Sequence, residues 1–207
     1  MCGRYMVITE GEIIEMQAIF EELGKRLDRS GDPFRADGSE VFPGSVTPVI
    51  VRQEEQIVML PMLWGFRKWD DKGIIINARS ETASQKPLFR DSLRSRRCII
   101  PSKGFYEWRR SDISEDSGVS TDVKDKFLIR RQDSPFYFMA GIWRRNEDRT
   151  EFAILTMPSV SQMQSIHDRM PLSVPANRLT DWLSDPAVID DLRTDTGSDI
   201  TLEILRV

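Results

Sequence analysis

A chain of 207 residues with a formal net charge of −4 fits one compact domain of ordinary globular composition. The slight acidity excludes wholesale coating of nucleic acid but leaves room for a local basic groove, because a site's field depends on where its charges sit. No apolar run approaches the length of a membrane span, and the first residues lack the basic and apolar regions of a secretory signal. A cytoplasmic protein without a membrane partner is therefore expected.

In chain order, residues 9–27 read as a helix. Thr9 and Glu12 have capping-box spacing, and Ile13, Met16, Phe20, Leu23 and Leu27 recur on one face. Residues 30–39 read as a loop. Residues 47–52 and 56–63 read as a hairpin split by a polar turn, followed by a turn-like segment holding Trp64 and Trp69. A short strand is expected over 73–77. A helix follows over 87–97, with Pro87 in its first turn and Leu88, Phe89 and Leu93 inward. Residues 98–100 and 104–110 read as strands, with Cys98 a small core residue. Residues 111–125 carry almost no apolar side chains and are expected to form a mobile surface insertion. Strands are expected over 127–131, 136–143, 152–156 and 201–207. Short helical pieces are expected over 158–165, 179–183 and 188–192. The sum is an α+β fold: one domain over residues 1–207, with short, mostly antiparallel strands in a curled, barrel-like sheet and peripheral helices.

Two cysteines, Cys2 and Cys98, have no metal-type spacing, and one histidine makes a Cys/His zinc site untenable, so neither metal nor cofactor is expected. Any histidine chemistry falls to His167. Cys2 follows Met1 directly. Without Met1 it carries an α-amine and a thiol on adjacent carbons, a pair that can condense with an aldehyde and close as a thiazolidine. The plain alternative is a thiol on a frayed terminus.

Three further segments hold chemistry-bearing residues. Asn77-Ala78-Arg79-Ser80-Glu81-Thr82 ends a strand; Asn77 can donate and accept hydrogen bonds and Arg79 can grip a phosphate, or the segment is a turn with a surface arginine. Gly104-Phe105-Tyr106-Glu107-Trp108 sets a carboxylate among aromatics. Alternation puts Phe105 and Glu107 on one face and Tyr106 and Trp108 on the other. A Glu107 against apolar surface would have a raised pKa, whereas one on an edge strand would face solvent. Ile166-His167-Asp168-Arg169-Met170-Pro171 offers a proton shuttle with Asp168 and Arg169 to orient it or bind phosphate, or a structural histidine before a proline. The Trp64, Trp69 and Trp108 indoles suit either base stacking or packing.

In this order, Met-Cys-Gly-Arg-Tyr, Asn-Ala-Arg-Ser-Glu-Thr, Arg-Arg-Cys-Ile-Ile-Pro with Gly-Phe-Tyr-Glu-Trp, Ala-Gly-Ile-Trp and Ile-His-Asp-Arg-Met-Pro form a series. From Met1 to about residue 183 it resembles the SOS-response-associated peptidase (SRAP) family, whose members process abasic sites in DNA. The resemblance implies loss of Met1 and a thiazolidine crosslink between Cys2 and an abasic site in single-stranded DNA. It further implies Asn77 holding the α-amine or sugar oxygen, Glu107 as general acid/base, and His167 on the sugar hydroxyl or phosphate. Arg4, Arg79 and Arg169 would serve DNA phosphates, and Trp69 and Trp108 the bases. An α-amine pKa of about 7.7–8.0 and a thiol pKa near 8.5 would leave neutral amine and a few per cent thiolate at cellular pH. Lesion shielding is the expected main outcome, with lyase and self-peptidase activity secondary. A monomer in the cytoplasm, associated with the nucleoid when bound to DNA, is expected. A trans-acting N-terminal-nucleophile peptidase and a non-catalytic DNA-binding module are the competing readings.

Overall fold

The computed structural model describes residues 2–31, 34, 36–69, 72–110, 124–146 and 149–207. The chain opens with β1 (Arg4–Val7), α1 (Glu10–Glu22), β2 (Leu27–Arg29) and β3 (Glu40–Val41). The long pair β4 (Val46–Gln53) and β5 (Gln56–Trp64) follows, then β6 (Phe66–Arg67), β7 (Ile74–Ile75) and β8 (Asn77–Arg79). After α2 (Pro87–Ser95) come β9 (Arg97–Arg110), β10 (Lys124–Arg131), β11 (Tyr137–Asn146), β12 (Arg149–Pro158) and β13 (Arg169–Pro171). The chain finishes with α3 (Leu179–Ser184), α4 (Val188–Asp199) and β14 (Leu202–Arg206).

Strands β11, β12, β5, β4 and β9 pair in that order, and β9 pairs back onto β11, which closes a five-stranded barrel. Most pairs are antiparallel; β12 runs parallel to both β5 and β8, and β2 parallel to β5. The interior is filled by Trp64 stacked on Phe152 at 6.3 Å, with Tyr5 tilted against the same indole at 5.1 Å. The Tyr5 and Thr47 hydroxyls meet at 2.6 Å, so the buried phenol is satisfied. Trp64 is thus a core residue.

Strand β9 does two jobs. Residues 97–102 pair with β11 inside the barrel, whereas residues 102–106 pair with β1 and residues 105–110 with β10 in an outer leaf. The change of partners falls beside Gly104, which has φ +152°; a Cβ there would lie 2.3 Å from the Ile129 carbonyl oxygen, so only glycine lets β10 approach this closely. At the other end of β9, buried Arg97 donates to the carbonyls of Leu93, Arg94, Trp182 and Leu183, capping the C-terminal ends of α2 and α3.

The capping box forms as expected, with Thr9 N–H on Glu12 Oε2 at 2.7 Å. The helix is shorter than its apolar pattern predicts, because Gly24 turns the chain at φ +68°. Leu27 is buried in β2 against β5 instead. The second helix ends at Ser95, and Leu88 is exposed instead of inward. Over 158–165 only a 3-10 turn, Ser161–Met163, forms; Pro158 closes β12. The last helix is longer than predicted, Val188–Asp199. Lys124 and Asp125, assigned from sequence to a mobile insertion, are strand residues of β10, and Asp125 takes both Arg109 and Arg206. Residues 111–123 lie outside the described residues. Among the described residues no helix is long and apolar enough to cross a membrane.

Candidate functional site

Register brings the N-terminus to the outer half of β9. Arg4 pairs with Tyr106 and Tyr5 with Phe105, so the chain before Arg4 runs towards Glu107 and Trp108. From the other side, β8 and β13 flank β12: Thr156 is opposite Arg79 on one edge and Pro171 on the other. Ser159 N–H donates to Asp168 O at 2.9 Å, closing the turn that carries His167. One strand therefore fixes both the Asn77 segment and the histidine turn.

Cys2 is fully buried, and its thiol donates to the Arg4 carbonyl at 3.5 Å. Burial pushes the thiol pKa far up, and the charge of Glu107 pushes it further. Burial therefore works against the thiolate fraction expected of an ordinary exposed thiol. Asn77 Nδ2 donates to the Cys2 carbonyl at 2.8 Å, which fixes the orientation of the amide. Its Oδ1 is buried and accepts no hydrogen bond among the described residues.

Glu107 is only 3% exposed. Burial raises its pKa, offset in part by the N-terminal amine and then by His167. The solvent-facing alternative is therefore excluded. The alternation in this strand is as expected: Phe105 packs edge-on against Tyr137 in the core, while Lys126 Nζ lies over the Tyr106 ring at 4.2 Å and within 5.9 Å of the Trp108 ring. The Arg4 guanidinium lies 5.1 Å from the Trp108 ring and 4.3 Å from that of Phe42. Its Nη1 donates to Glu40 Oε1 at 3.1 Å, and Glu40 also takes Lys126. Burial opposes ionisation of Glu40, but these two cations together hold its carboxyl below the usual range.

Four predicted residues are thus linked. Cys2 bonds Asn77, Glu107 acts electrostatically on Cys2, and His167 acts on Glu107. The five predicted DNA contacts divide. Arg79 is exposed and makes no ion pair among the described residues, and Trp108 is half-buried beside Arg4. Trp69 is 98% exposed on a separate hairpin, at the rim of a cleft of about 380 Å³ shared with Lys68 and Arg144. Arg169 is committed inside the protein, on Glu81 and Thr156. Sequence reasoning missed Glu40, Lys126 and Glu81. Only Glu81 carried a signal, as the acid two residues after Arg79. Among the described residues no three His, Cys, Asp or Glu side chains cluster to hold a metal ion. The Met1-removal expectation falls on a residue outside those described.

A family model described as SOS response associated peptidase (SRAP) matches residues 1–203. The abasic site processing protein YobE of Bacillus subtilis is 35% identical over 89% of this chain and 82% of its own length. The abasic site processing protein YedK of Escherichia coli is 29% identical over 88% of this chain and 79% of its own length. A crystal structure of a Bacteroides thetaiotaomicron protein, 23% identical, superposes with a TM-score of 0.74 over 99% of this chain and 92% of that one; it is similar in fold.

Proposed function

The chain belongs to the SOS response associated peptidase (SRAP) family, and from that premise we propose that it processes abasic sites in single-stranded DNA by forming a covalent thiazolidine through Cys2. The observation that carries this reading is the linkage of Cys2, Asn77, Glu107 and His167, residues 165 positions apart at the extremes, around one buried thiol. The printed names of the relatives supply the substrate.

With Met1 removed, the α-amine of Cys2 adds to the C1′ aldehyde of the ring-opened deoxyribose, and the carbinolamine loses water to give an imine. Sulfur then adds to the imine carbon. The C–S bond forms, the C=N π pair moves to nitrogen, and the thiol proton passes from sulfur to nitrogen by way of the Glu107 carboxylate. A raised carboxyl pKa suits a group that must give protons in the dehydration and take one in the closure. Asn77 Oδ1 offers an acceptor beside Cys2 for the freed amine. Arg4, Arg79 and Trp108 are assigned to the strand, as phosphate and base contacts. Arg169 is assigned to the His167 turn instead of to phosphate. Ring closure removes the imine that β-elimination would need, so shielding dominates and lyase activity is secondary. Glu107 is also the candidate base for self-removal of Met1.

Abasic single-stranded DNA mixed with the purified protein should give a denaturing-gel shift. Its intact mass should equal the sum of the DNA and the protein lacking Met1, less one water. An equal adduct from Cys2→Ala overturns the thiazolidine. Cleavage of peptides in trans with indifference to abasic DNA would favour the peptidase reading.

A further inference from the structure

Arg169 stands two residues beyond His167 and opens β13. Its guanidinium forms a two-point pair with Glu81, Nη1 on Oε1 and Nη2 on Oε2 at 2.9 Å. Nη2 also donates to the Thr156 carbonyl at 2.7 Å and to the Thr156 hydroxyl at 3.1 Å. Glu81 is steadied by the Ser80 hydroxyl at 3.2 Å. The side chain of Arg169 is thereby clamped to the end of β8 and to β12. Two-point pairing of this kind fixes direction as well as distance.

The main chain of the same residue does something different. Arg169 N–H donates to His167 Nδ1 at 3.0 Å. A bond accepted at Nδ1 needs a lone pair there, so the neutral ring carries its proton on Nε2. Asp168 Oδ1 lies 2.9 Å from the same Nδ1. It acts as partner whenever Nδ1 carries a proton, in the imidazolium or in the other neutral tautomer. Nδ1 therefore has one partner for its lone pair and another for a proton, and the Arg169 N–H favours the lone pair. Around it stand Asp168 on its own turn, Arg169 with Glu81 behind it, and Glu107 from β9, whose charge in turn acts on Cys2.

We propose that Glu81 is a positioning residue: through Arg169 it holds the backbone N–H that sets the tautomer and ring orientation of His167. The proposal rests on the assignment of His167 to the crosslinking site. Its spatial basis is a pair 88 residues apart that locks a residue two positions from the histidine.

His167 is the only histidine, so imidazole nitrogen NMR of the ¹⁵N-labelled protein reads this ring without assignment. In the DNA-free wild type at alkaline pH, Nδ1 should be pyridine-like and Nε2 pyrrole-like. In Glu81→Gln the two signals should move towards each other as tautomers mix. In Glu81→Asp, which keeps the charge, they should return towards wild type. At saturating abasic DNA, the crosslinking rate of Glu81→Gln should fall about 10- to 100-fold, the scale expected for a misplaced catalytic group. Its affinity for intact single strands should be unchanged. Wild-type ring signals in a folded Glu81→Gln protein overturn the proposal, and so does a rate loss explained by lost DNA affinity. If Glu81→Gln does not fold, Arg169→Lys, which keeps the charge and the backbone N–H but not the two-point pair, must show the same mixing; unmoved signals there overturn it equally. The ring signals are read without DNA, so failure of the crosslinking reading leaves them intact.

Discussion

Glu107 and Glu81 both bear on the His167 turn, yet burial pushes the carboxyl of Glu107 up, while the Arg169 guanidinium holds that of Glu81 down at about 2. Both are glutamates in short motifs rich in hydrogen-bonding groups, and what separates them is the neighbour each was given. Glu107 lies buried on the outer half of β9, within electrostatic reach of both the thiol and the histidine. Glu81 meets a planar cation in two-point geometry, which fixes its charge and makes it a structural anchor. Under the proposals made above, the same residue type serves proton transfer in one place and positioning in the other.

The sharpest test of this contrast begins with the residue beside Glu107. Cys2→Ala should lose the heat-stable adduct with abasic DNA entirely, read on a denaturing gel. A surviving stable adduct would place the chemistry elsewhere and remove the reason for Glu107 to be tuned. Next in size, Glu107→Gln should slow crosslinking by about 10²–10⁴-fold, the usual range for a lost general acid/base. The wild-type rate should fall on acidification through a pKa above the ordinary carboxylate range, and that limb should be absent from the rate–pH profile of the variant.

Stability should move in opposite directions at the two sites. Glu81 is depressed from 4.5 to about 2, so its contribution is present above pH 4.5 and lost as pH falls towards 2. Its side chain is 35% exposed, so solvent screening reduces what the shift alone implies. Glu81→Gln should cost on the order of 2 kcal/mol at neutral pH in denaturant unfolding. Glu107 is raised, so its contribution is present below the ordinary carboxylate pKa and lost as pH rises through the raised value. Glu107→Gln should therefore unfold at higher denaturant than wild type at neutral pH. Two variants that both destabilise would erase the distinction. The smallest effect concerns exposed Arg79: Arg79→Ala should weaken single-strand binding regardless of sequence and reduce the salt-dependence slope by about 0.7.

Local rules carried the fold a long way. The capping box at Thr9, the 47–63 hairpin and the alternation through Phe105 to Trp108 all depend on near neighbours, and all formed. The helix over 9–27 was over-extended because Leu27 continues the apolar period although Gly24 ends the helix and β5 claims Leu27. Lys124 and Asp125 read as solvated because their partners, Arg109 and Arg206 for Asp125, come from β9 and from the far end of the chain. In the site, motif resemblance points to Cys2, Asn77, Glu107 and His167; Asn77 bonds the Cys2 carbonyl, and Glu107 lies within electrostatic reach of Cys2 and His167. Arg169 reads from sequence as an orienter of His167 or a phosphate ligand, because its carboxylate partner is distant; a charge paired across 88 residues looks like a spare one until the fold is known.

The burial of Cys2 has a consequence for biosynthesis. In the folded protein this residue has no exposed surface, and Asn77 grips its carbonyl. An aminopeptidase in trans must admit the residue after the scissile bond, so the burial of Cys2 favours removal of Met1 while the nascent chain is still open at the ribosome. The self-removal proposed for Glu107 would have the opposite timing, because Glu107 must first be synthesised and folded. The two routes to the same mature amine are separated by the moment of folding.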